Sequence, residues 1–123
     1  MTNSSGPQAW NLSMGAGSTQ DWVFTFTYPS TGALYPLTGL TWEYVARNSA
    51  GTAVISVTTA ANSQGVLSVG TAASTVELLL YPAATSSLAV GQYEHALWSN
   101  PGSATSAYTW LGGVLSVGVN AQP

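Results

Sequence analysis

Apolar and polar residues alternate along most of the chain. In Gln20–Tyr28, QDWVFTFTY, Trp22, Phe24, Phe26 and Tyr28 share one face, while Val23, Thr25 and Thr27 share the other. Period two with β-branched residues outside predicts a half-buried antiparallel strand. Residues 40–47, LTWEYVAR, set Trp42, Tyr44 and Ala46 against Thr41, Glu43, Val45 and Arg47. Further strands are predicted at 52–59, 66–69, 74–81, 91–98 and 106–119, with turns at Pro29–Gly32 and Asn48–Gly51. The core is expected to rest on Trp22, Phe24, Trp42, Leu78, Tyr93 and Trp110. No window supports an amphipathic helix. Ala83–Val90 can make one helical turn, with Pro82 at its first position and Gly91 at its end.

The two ends read differently. Residues 1–7 predict a flexible arm leading into a short strand, 8–13, around Trp10, and Gly15–Thr19 reads as a small-residue linker. We therefore divide the chain into an arm with a first short strand, 1–14, and one sandwich domain, 15–123. The segment Ala9–Met14 is expected to pair with a strand of its own sandwich or of a neighbouring subunit. The last strand contains Gly112–Gly113, which suggests a bulge or a close backbone approach. The hexapeptide GVLSVG occurs at 65–70 and again at 113–118, too short to define a repeat architecture. Short strands between Gly, Pro, Asn and Ser turns predict an all-β, immunoglobulin-like antiparallel sandwich of about seven to nine strands with Greek-key connections.

Charge changes the picture. Lysine and cysteine are absent, and the only formal charges are Asp21, Glu43, Glu77, Glu94 and Arg47. One arginine cannot displace the counterions of a nucleic acid, and it gives no hold on an anionic membrane. Disulfides and thiolate metal sites are excluded, and no cofactor motif is present. Residues 1–9 lack the basic and apolar regions of a signal peptide, and the longest strongly apolar stretch, near Leu78–Tyr81, is far too short to span a membrane. A nearly uncharged surface offers little repulsion between molecules, so an assembled, self-associating protein is expected.

Chemistry for catalysis is scarce. His95 is the single histidine and shares the parity of Tyr93 and Leu97, which turns it toward the core. No G-x-S-x-G nucleophile turn occurs. Glu43, Glu77 and Glu94 fall at non-core parity and read as solvated charges that discourage edge pairing. Glu94 and His95 point to opposite faces of one strand and cannot easily share a metal ion. We expect no enzymatic activity. The aromatics outside the predicted core, Trp10, Tyr35, Tyr81 and Trp98, together with Leu12, are the candidate interface residues. They could anchor a protein contact, stack on a sugar, or pack beneath loops.

The order of segments resembles a known family. GSTQDWVFTFTY is followed by YPLTGLTWEYVAR, with Leu37, Thr38 and Gly39 as an L-T-G turn before a strand ending in Arg47. Then come the strand VELLL and YPAATSSLAVGQYEHALW, a short helical turn carrying a Thr before G-x-Y opens the next strand. WLGGVLSVGV closes the pattern. Over roughly residues 15–119 the chain is similar to the small β-sandwich modules of tailed phages related to the N-terminal domain of baseplate upper proteins. Tyr93 would also stand where an immunoglobulin-like strand carries its corner tyrosine. The resemblance implies a virion structural protein, assembled in the host cytoplasm and bound to the major capsid protein or to a baseplate or tail protein. Capsid decoration is the expected role, a baseplate or tail-fibre adaptor the alternative, and a carbohydrate-binding module the alternative of another class.

Overall fold

The computed structural model describes residues 8–9, 11–28, 31–86, 88–100 and 108–118. Two sheets face each other across one apolar core. The large sheet contains β1 (Gln8–Ala9), β2 (Leu12–Gly15), β4 (Trp42–Arg47), β5 (Ala53–Thr58), β8 (Gly91–Ser99) and β9 (Tyr108–Gly118). Its order is β1-β9-β8-β4-β5, with β2 following β1 along the same edge of β9. It therefore spans five strand positions. The small sheet holds β3 (Gln20–Thr25), β7 (Thr75–Leu80) and β6 (Gly65–Gly70), in that order. A single helical turn, α1 (Pro82–Thr85), links β7 to β8 and carries proline at its start. Neighbours in sequence cross between sheets at β2–β3, β3–β4, β5–β6 and β7–β8, the Greek-key wiring of an immunoglobulin-like sandwich.

One departure from the antiparallel expectation is clear. β1 and β2 run parallel to β9, with Gln8 opposite Leu111 and Leu12 opposite Leu115 in one continuous register. The pairing expected of Ala9–Met14 is thus made within its own sandwich. Met14 is buried in the core and Leu12 packs against it. The strand reaches Gly15, one residue into the expected linker. Gly17 in that linker is also tied down, its amide donating to the Thr85 hydroxyl at 2.9 Å.

Local chemistry explains the turns. At Leu37–Leu40 the Leu40 amide donates to the Leu37 carbonyl, and Gly39 takes φ 82°, a left-handed conformation that costs glycine little. Leu37 itself is buried. Between β4 and β5 the Asn48 side chain accepts from the amides of Ala50 and Thr52, both at 3.0 Å, a side-chain mimic of a backbone turn. Tyr93 donates from its hydroxyl to the Ala89 carbonyl at 2.7 Å, the tyrosine-corner bond that pins the approach to β8.

The Gly112–Gly113 pair, read as a bulge or a close backbone approach, is in regular register with Ala96 and His95. The register shift of β8 and β9 lies instead between Leu97 and Trp98, where Trp98 meets Thr109 and Leu97 meets Leu111. The extra residue is Trp110, whose ring lies in the core. The first strand of the small sheet also ends early, at Thr25, and Tyr28 is exposed rather than core-facing. An isolated bridge between Thr27 and Leu34 takes over there, and the Tyr28 ring packs on Tyr35 with centroids 5.0 Å apart. The two GVLSVG segments occupy unlike strands, an edge of the small sheet and an interior strand of the large one. Both still turn their leucine, Leu67 or Leu115, into the core.

Candidate functional site

Inside the large sheet, aromatics and a few polar groups form specific contacts. Phe26, Trp42 and Trp110 form a three-ring cluster, with Phe26 5.3 Å from Trp42 and 5.2 Å from Trp110, and the two indoles 6.3 Å apart. The Trp110 indole N–H donates to the Ser99 hydroxyl at 2.8 Å. The Trp42 indole nitrogen is buried without a hydrogen-bond partner. His95 is buried, as its parity predicts, with Nδ1 3.0 Å from the Tyr44 hydroxyl and the two rings edge to face. Burial pushes the Tyr44 phenol far above its ordinary value, so it stays protonated and can donate to Nδ1. The pair holds β4 to β8 from the inside of the sandwich.

The outer face of the same sheet gathers what the chain has of exposed chemistry. Glu43, Val45 and Arg47 alternate with the core residues of β4, and Gln92, Glu94, Ala96 and Trp98 alternate with those of β8. Register sets them in rows: Glu43 opposite Trp98, Val45 opposite Ala96, Arg47 opposite Glu94. On β9, Gly112 extends the Ala96 row and Val114 the Glu94 row. The middle row is small and low, so a groove of about 180 Å³ lies over Val45 and Ala96, walled by Trp98 and by Arg47 with Glu94. A second hollow of about 320 Å³ shares Glu94 and reaches Asn48, Ser49 and Gln92.

These polar walls are held in place. The Glu43 carboxylate accepts from the Ser56 hydroxyl at 3.3 Å, and the Arg47 guanidinium donates to the Gly51 carbonyl at 3.1 Å. Val45 is only 7% exposed although it lies on the outer face. Next to this face, the free side of β5 is closed by side chains. Gln64 donates to the Val54 carbonyl and accepts from the Ser56 amide, both at 2.9 Å, and the Asn62 amide donates to the Ser56 carbonyl.

The small sheet carries the other two charges on its outer face. Asp21 and Glu77 are diagonal neighbours across β3 and β7. A hydrogen bond with Asp21, repulsion from its charge and slight desolvation raise the Glu77 pKa. Among the described residues no group of three or more His, Asp or Glu side chains could hold a metal ion, and no helix is long and apolar enough to cross a membrane.

The sequence-derived interface candidates separate. Trp10 lies outside the described residues. Leu12 and Tyr35 are half-buried and pack against the core, Tyr35 edge-on to Trp110 at 5.1 Å. Tyr81 is half-buried before α1. Trp98 is 36% exposed on the outer face. Sequence reasoning missed the company Trp98 keeps. Spacing of four put Glu43 with Arg47 and Glu94 with Trp98 on two faces, but only the register of β4 against β8 joins them. Comparison with protein-family models gives no match to this sequence, and comparison with curated proteins gives none.

Proposed function

We propose that the protein is a non-enzymatic structural module of a bacteriophage virion, acting as a capsid decoration protein. One observation carries this reading: the segments of the family resemblance coincide with the residues that set the fold. The L-T-G segment buries Leu37 and turns at Gly39. The helical Thr85 pins Gly17, and the tyrosine of G-x-Y forms the corner bond. A small sandwich with a nearly uncharged surface suits a protein held in many copies on a lattice. Its seat on the particle is the cluster of Tyr28, Leu34 and Tyr35, where two large side chains stand exposed on a bridge-closed loop. Tail or baseplate attachment is the alternative placement, favoured by the family named in the resemblance.

Mass spectrometry of separated heads and tails tests the proposal. The protein is expected in the head fraction at high copy number. Recovery with tails would move it to the adaptor role, and absence from both would refute a virion role. With so few charges, contacts at the seat are apolar and hydrogen-bonded, and salt screens these little. Particles washed from low to high sodium chloride are therefore expected to retain the protein.

A further inference from the structure

We propose that the outer face of the large sheet is a binding site for a neutral saccharide, seated over Val45 and Ala96 between Trp98 and the Arg47–Glu94 pair. The groove has the dimensions of a ring. Side chains two apart on a strand are about 6.8 Å apart, so the walls at Trp98 and Glu94 stand about 13.5 Å apart, backbone to backbone, across a low floor. A pyranose offers apolar C–H faces and a rim of hydroxyls. The exposed indole of Trp98 provides the flat apolar surface, and the Glu94 carboxylate and the Arg47 guanidinium accept from and donate to the rim.

The distribution of charge favours this ligand class. Three of the chain's five charged side chains, Glu43, Arg47 and Glu94, lie on this one face. Their sum is negative, which disfavours uronic and sialic acids and leaves neutral sugars. Of the groove's polar walls, Arg47 is already oriented by Gly51, so little of its side-chain freedom is lost on binding. A protein partner fits less well. A stable interface buries about 800 Å² on each side around apolar anchors, whereas Trp98 is the one large apolar side chain described as exposed on this face. The adjoining hollow with Asn48, Ser49 and Gln92 gives room and amides for a second ring.

The test is titration of the full chain, followed by the indole N–H resonance of Trp98 and the backbone amides of Glu94 and Ala96. The probes are methyl glycosides of glucose, galactose, mannose and N-acetylglucosamine, their disaccharides, galacturonic acid and N-acetylneuraminic acid. At least one neutral sugar is expected to shift these signals saturably, with disaccharides tighter and both acids silent. Trp98→Ala should weaken binding at least about tenfold, and Arg47→Gln by several-fold, with unchanged circular dichroism. Trp98→Phe, which keeps a ring, should retain most of the affinity. Silence of every neutral sugar overturns the proposal, as does undiminished binding by Trp98→Ala. Broadening of the Trp98 signal with protein concentration alone also overturns it, by making the face an interface between copies. The particle role is read separately: Trp98→Ala should remain on particles, because the seat lies at Tyr28 and Leu34.

Discussion

The two sheets bury their inner faces by different means. Beside its aliphatic residues, the large sheet contributes the Trp42 ring and two polar pairs, Tyr44 with His95 and Trp110 with Ser99. The small sheet contributes Leu67, Val76, Leu78 and Leu80, aliphatic side chains with no polar group to place. Its aromatics, Trp22 and Phe24, stand on its edge strand and are only half-buried. The large sheet therefore fixes the geometry of the sandwich, since a buried polar pair is satisfied in one arrangement only. The small sheet supplies apolar area with looser demands on shape. Their outer faces differ too, a walled groove on one and two repelling carboxylates beside exposed Val23 on the other.

The largest expected effect tests burial against parity. Trp42→Ala should destabilise the fold by about 3–5 kcal/mol in urea unfolding, enough to leave little soluble protein. Trp22→Ala, at the same parity but on the edge, should cost less than half as much. Equal losses would erase the distinction between a central and an edge aromatic. Next comes the polar pairing of the large sheet. Ser99→Ala strips the Trp110 indole of its acceptor and should cost about 1–3 kcal/mol. A loss near zero would mean that shape alone holds Trp110.

Alkaline titration separates the sheets again. The Tyr44 pKa is raised in the folded state, so folding holds a proton that the unfolded chain releases above the ordinary value of 10.0. Stability should be unaffected below that pH and fall above it, by up to about 1.4 kcal/mol per pH unit. Tyr44→Phe should start less stable, because the hydrogen bond between the Tyr44 hydroxyl and His95 Nδ1 is lost, and should lack this added slope. The smallest effect belongs to the small sheet. With its pKa raised by Asp21, the Glu77 carboxylate is disfavoured when ionised and is relieved on taking up a proton. Asp21→Asn should raise the melting temperature slightly at pH 7 and change nothing once the carboxylates are protonated. A lower melting temperature at pH 7 would show that the pair is held by something other than repulsion.

Much of this architecture is legible in the residues. Period-two patterning places the seven main strands within one to three residues, because each has one wet face and one dry face. Pro82 marks the helical turn and Tyr93 the corner, since each has a strong local preference. Long-range geometry is not legible in the same way. Nothing in residues 8–15 says that they run parallel to β9, because alternation is the same for either direction. The Gly112–Gly113 pair suggests a bulge or a close backbone approach, and the irregularity of the ladder falls at Trp110, where a large ring must reach the core. Glu94 reads as a solvated charge because its place opposite Arg47 depends on register across β4 and β8. The groove is a property of three neighbouring rows, and a row exists only after the strands have paired.

The parallel alignment of β1 and β2 with β9 has a mechanical consequence. Tension applied at Gln8 and Gly118 would draw the two strand ends apart along their own length, since Gln8 lies beside Leu111 and Gly15 beside Gly118. The ladder between them would then be loaded in shear, with its hydrogen bonds resisting together. In an antiparallel pair pulled from one end, they would open one after another like a zipper. Sheared ladders yield at higher force, and the Met14 side chain would have to leave the core in the same event. A domain stretched between its terminal strands is thus built to resist rupture along the axis of the sandwich, while remaining easy to peel from the side.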